Sequence, residues 1–117
     1  MEHPKDHYGW MLRGEALFHG LKPTHPVRLP ASGQSGCFET FPHAIAWHLT
    51  GGKAVASRKR PQRRALLAAA GVDLTALTNI DLVDAALCAL VALHVSTGGA
   101  YQAYGEPDTG LIIVPRD

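Results

Sequence analysis

Asp84 lies among apolar neighbours in the run NIDLVDAALCALVAL, residues 79–93. An isolated carboxylate is costly to bury, so a residue placed there needs a partner or a metal ion. Asp81 stands three residues earlier, about one helical turn away. Both acids would also gain from the positive end of a helix, which is an equally good reason for their positions. Glu39 is a second acid in an apolar setting, within CFETF, residues 37–41. If the two segments abut, Glu39 and Asp84 converge and supply hard oxygen ligands that suit Mg²⁺ or Mn²⁺. Carboxylates around a divalent ion are the core of metal-assisted phosphodiester hydrolysis. His43 follows Glu39 closely, and its imidazole could contact a phosphate or assist proton transfer. The candidate catalytic residues are therefore Glu39, Asp84 and His43, and the candidate metal ligands are Glu39, Asp84 and Asp81.

A basic run follows. Lys53, Arg58, Lys59, Arg60, Arg63 and Arg64 place six of the 11 basic residues within twelve positions. Such a run is either a solvated charged loop or a nucleic-acid-contacting patch. The formal net charge of +1 does not by itself argue for a strong nucleic-acid or membrane binder. There is no dinucleotide fingerprint or phosphate loop, so no organic cofactor is expected. No Ser–His–Asp or Cys–His arrangement can be drawn. The seven histidines are scattered without zinc-ligand spacing. His3 and His7 are four apart in a Pro-containing terminal stretch, and His94 falls on an apolar stripe as a core or edge histidine.

These side chains need elements to position them. CFETF has the character of a short strand, with Glu39 and Phe41 on one face and Phe38 and Thr40 on the other. Pro42 ends it and suits the first turn of a helix that continues through Leu49 and stops at Gly51 and Gly52. Thr40 is the better capping side chain for that helix. Glu39 thus sits near a strand end, where sites in α/β folds usually lie. Pro61 can start a second helix, ended by Gly71, with Leu66 and Leu67 facing the core and the arginines at its solvent-facing start. Asn79 is a plausible N-cap for the most periodic segment, residues 79–95. Ile80, Val83, Leu87, Leu90 and His94 form one stripe there, and Leu82, Ala86, Ala89 and Leu93 a second. A helix apolar on nearly all sides is expected to be central and buried. Residues 101–104 and 111–114 read as two strands joined by a turn through residues 105–110.

The 117 residues suffice for one core. Residues 1–35 form an irregular lead-in, rich in Pro and Gly, in which Trp10, Met11, Leu12, Ala16, Leu17 and Phe18 could make a short docking helix; residues 36–117 form the α/β domain. Cys37 and Cys88 read as two reduced thiols. The N-terminus lacks a secretory pattern, and the longest apolar stretch, residues 85–95, is too short to span a bilayer, so no membrane association and a cytoplasmic location are expected.

Four segments together carry a resemblance. ETFPHAIAWHLTGG (39–52), RRALL (63–67), NIDLVDAALCALVAL (79–93) and GEPDTGLIIVP (105–115) resemble, in this order, the C-terminal portion of the domain-of-unknown-function family 429. Members of that family are predicted nucleases with a ribonuclease H-like fold. The resemblance implies a partial or truncated form of that fold: a mixed sheet flanked by helices, with a C-terminal strand pair. It implies a carboxylate cluster holding Mg²⁺, with Glu39 as the acid on a core strand, Asp84 as the acid on the last core helix, and His43 and Arg64 near the cleft. Attack by metal-bound water on a nucleic-acid phosphodiester is the implied reaction. The usual first strand with its aspartate is missing, since nothing before Gly36 reads as an apolar strand and Asp6 lies in PKDHYG. An open sheet edge follows, to be covered by a homodimer or another partner. The alternatives to a nuclease are a catalytically inactive structural or protein-interaction remnant of the fold and a weak nucleic-acid-binding module.

Overall fold

The computed structural model describes residues 9–31 and 34–116. His3, Asp6 and His7, and the side chains of Trp10 and Met11, lie outside what is described. Among the described residues four α-helices precede a β-hairpin: α1 (Gly9–Leu21), α2 (Pro42–Leu49), α3 (Lys59–Ala69), α4 (Ile80–Ser96), β1 (Tyr101–Glu106) and β2 (Gly110–Pro115). A 3₁₀ turn, Ala56–Arg58, leads into α3.

Local chemistry sets the element boundaries. Pro42 occupies the first turn of α2, where its missing N–H costs nothing. The N-cap is Phe41 in extended conformation, without a side-chain cap, which corrects the expectation for Thr40. The Thr40 hydroxyl is instead buried without a partner among the described residues. Asn79 does cap α4, its Oδ1 accepting from the Leu82 N–H at 2.9 Å. The last turn of α4 is closed by the Gly99 N–H donating to the His94 carbonyl at 2.8 Å. Gly99 also lies flat against the His94 imidazole, where any Cβ would collide with the ring.

β1 and β2 pair antiparallel, with Tyr101 opposite Pro115 and Glu106 opposite Gly110. Gly105 has φ +86°, and a Cβ there would overlap the Gly110 carbonyl, so the turn admits only glycine at this position. The expected strand at residues 37–41 shrinks to isolated parallel bridges. Glu39 bridges Ile112, and Cys37 bridges Val27. The Glu39 N–H donates to the Leu111 carbonyl at 3.0 Å, and the Ile113 N–H donates to the Glu39 carbonyl at 2.8 Å. The architecture is a small α/β domain with helices flanking a two-stranded antiparallel sheet, to which two short parallel segments attach.

The core gathers Ile45 of α2, Leu67 of α3, Val83, Leu87, Val91 and Val95 of α4, and Leu111 and Ile113 of β2. Strand alternation sends Leu111 and Ile113 into it, while Ile112 and Val114 face a groove beside α2. On α4 only the spacing-of-four stripe Val83–Leu87–Val91–Val95 is buried. Leu82 and Leu93 are 42% and 61% exposed, so the helix is not central as the two apolar stripes predict. In so small a domain the neighbours cover one side of it. No helix among the described residues is long and apolar enough to cross a membrane.

Candidate functional site

Asp84 has its partner, and it is an arginine. The Arg63 guanidinium donates from Nη1 to Asp84 Oδ1 at 2.8 Å, linking α3 to α4. Arg63 is only 6% exposed, so it does not stand at a solvent-facing helix start as the sequence predicts. The pairing is how the chain tolerates a charged side chain at that depth. Arg63 Nε remains buried without a partner among the described residues.

The neighbouring arginines are also committed. Arg60 Nη2 donates to the Thr78 carbonyl at 3.2 Å, and Arg64 Nη1 donates to the Leu77 carbonyl at 2.7 Å. Together the three side chains fasten α3 to the loop and first turns of α4. Lys53, Arg58 and Lys59 are exposed, and their side chains make no hydrogen bond or ion pair among the described residues.

Glu39 is fixed by its backbone bridges to β2, with its side chain exposed. It lines a groove of about 840 Å³ together with Glu15 and His19 of α1, Lys22 just after that helix, and Asp108 of the hairpin turn. His19 and Glu15 stand 3.7 Å apart on exposed side chains. Their four-residue spacing was the available sequence signal for that pair; nothing local to Asp108 signals its arrival beside Glu39. Asp81 is exposed in the first turn of α4, where a negative charge suits the helix end.

His43, at the start of α2, lines a different groove of about 380 Å³ with Phe41, Trp47, His48, Tyr104 and Ile112. The Tyr104 hydroxyl and His48 Nε2 are 3.3 Å apart, their rings tilted at 55°. This aromatic groove is absent from the sequence reading, because it joins α2 to a strand 56 residues away.

Glu39, His43 and Asp84 therefore occupy three settings: the α1 groove, the aromatic groove and the α3–α4 ion pair. Among the described residues no group of three or more His, Cys, Asp or Glu side chains could hold a metal ion. The oxygen-rich donor set that Mg²⁺ requires is not assembled by them. Both cysteines are free. Burial raises the Cys37 thiol pKa, and burial followed by the Asp84 charge raises that of Cys88, so both thiolates are disfavoured.

No curated protein and no solved structure shows significant similarity to the chain. A family model does match, and its span from residue 2 to residue 109 takes in the lead-in that the sequence sets apart. The chain belongs to the family described as Protein of unknown function (DUF429).

Proposed function

We propose that this protein is a non-catalytic interaction domain of its family, descended from a ribonuclease H-like nuclease. The Arg63–Asp84 pair carries the reading. The acid that the resemblance assigns to metal binding is joined to a nearly buried guanidinium, and its charge serves to hold two helices together. Neither Glu39 nor His43 shares its setting. The parallel bridge between Glu39 and β2, backed by α4, supports the ancestry.

A titration of Mg²⁺ or Mn²⁺ followed by backbone amide NMR tests this. The expected result is no saturable response centred on Glu39 and Asp84 at millimolar metal. Saturable shifts at both, with phosphodiester hydrolysis abolished by Glu39→Gln and by Asp84→Asn, would restore the nuclease reading.

Weak nucleic-acid binding is a second reading, supported by the unengaged side chains of Lys53, Arg58 and Lys59. If these three residues of the basic run carry the contacts, the dependence of log K on log salt should have a slope no steeper than about −3. Neutralising all three should abolish binding measured by fluorescence anisotropy; a steep slope that survives their removal rejects this reading.

A further inference from the structure

β1 is the outer strand of the hairpin, and its free edge can be read from the hydrogen-bond alternation. The Arg116 N–H donates to the Ala100 carbonyl at 2.9 Å. In an antiparallel ladder, bonded and non-bonded pairs alternate. Gln102 and Tyr104 therefore turn their N–H and C=O groups toward Val114 and Ile112, and Tyr101, Ala103 and Gly105 turn theirs outward. β2 obeys the same phase, since Leu111 and Ile113 direct theirs to Glu39 on its other side. Along the outer edge, among the described residues, only the Ala103 carbonyl has a partner, the Gln102 side chain at 3.3 Å.

Solvent-facing edges are usually blunted by proline, lysine or a covering segment. YQAYGE contains neither residue. Beside the edge, on the face that Tyr104 shares with α2, Phe41, Trp47 and Tyr104 are each about half exposed. An edge that the described residues leave uncovered, flanked by exposed aromatic rings, is a docking surface.

We propose that β1 is the interface of a homodimer, pairing antiparallel with β1 of a second copy about a twofold axis at Ala103. This deepens the interaction-domain reading by naming the partner. Self-complementarity selects a second copy. The three outward-turned residues are symmetric about Ala103, so the axis places Tyr101 opposite Gly105 of the second copy, where no side chain obstructs it. Gln102 meets Tyr104 of the second copy on the aromatic face. Glu106 meets Ala100 of the second copy, whose ladder neighbour is Arg116. Negative and positive ends thus face each other twice, and no like charges oppose. A twofold interface of this kind closes on itself.

Size-exclusion chromatography with light scattering should give twice the chain mass of 12.5 kDa. Glu106 and Arg116 are exposed, so reversing their charges leaves the core intact. Glu106→Arg should weaken the dimer several-fold at low salt, as should Arg116→Glu, and the double variant should restore it. Ala103→Pro removes an outward N–H that the hairpin does not use and should give monomers with unchanged circular dichroism. The Ala103 amide should exchange faster as the protein is diluted. A 12.5 kDa particle at about 100 µM, well above the range expected of a specific dimer, overturns the proposal. So does concentration-independent protection of that amide, which would mean that the chain covers its own edge. A dimer indifferent to all three variants uses another surface and also overturns it. The metal titration is independent: a dimer with a metal response sinks only the non-catalytic reading, and a monomer without one sinks only this proposal.

Discussion

At Asp84 the chemistry turns on which opposite charge arrives first. A carboxylate in an apolar helix must be met by a cation, and Arg63 meets it from one helix away at 2.8 Å. Removing one partner strands the other, at a cost of about 3 kcal/mol or somewhat less, because Asp84 keeps 26% of its side-chain surface exposed. Arg63→Met and Asp84→Leu should each show that loss in urea unfolding, and the double variant combining them should recover most of it. A fully additive double variant would show that the pair is not coupled. Cys88, one turn beyond Asp84, supplies a pH dependence. Burial and then the Asp84 charge raise its thiol pKa, so the folded state holds that proton more tightly than the unfolded chain. Its contribution to stability is complete below the ordinary thiol pKa and is lost as pH rises through the raised value. Melting temperature should therefore decline in the alkaline range above about pH 9, and Cys88→Ala should flatten the decline.

At the scale of elements, α4 separates what periodicity can say from what it cannot. Its existence, its Asn79 cap and its glycine stop follow from the chain alone, because each depends on residues within a turn or two. Which of its apolar positions are buried depends on how much partner surface the rest of the fold supplies. Leu87 is fully buried and Leu93 is 61% exposed. Leu87→Ala should cost about 2–5 kcal/mol and Leu93→Ala less than about 0.5 kcal/mol in chemical denaturation. Equal losses would mean that the second stripe is also covered in solution. Asn79→Ala should cost about 1 kcal/mol by the same measurement. Other boundaries were legible for the same local reasons: Pro42 at the head of α2, and the hairpin around residues 105–110. The bridges at Val27, Cys37 and Glu39 were not. Cys37 donates to the Pro26 carbonyl and Glu39 to the Leu111 carbonyl, so the pairing is decided by residues far along the chain. The groove around Glu39 is built the same way, from α1 on one side and the hairpin turn on the other.

Across the whole molecule, the basic run changes meaning once its partners are known. Arg60 and Arg64 clasp the carbonyls of Thr78 and Leu77, and those carbonyls belong to the loop from which α4 starts. A polyanion competing for these guanidinium groups would have to release that loop first. Ligands that bind the folded state raise its melting temperature; those that favour an opened form lower it. Heparin or polyphosphate recruiting Arg60 and Arg64 should therefore lower the melting temperature of this domain, an effect that added salt reverses. The same arginines that look like an invitation to a phosphate backbone make such a backbone a mild denaturant.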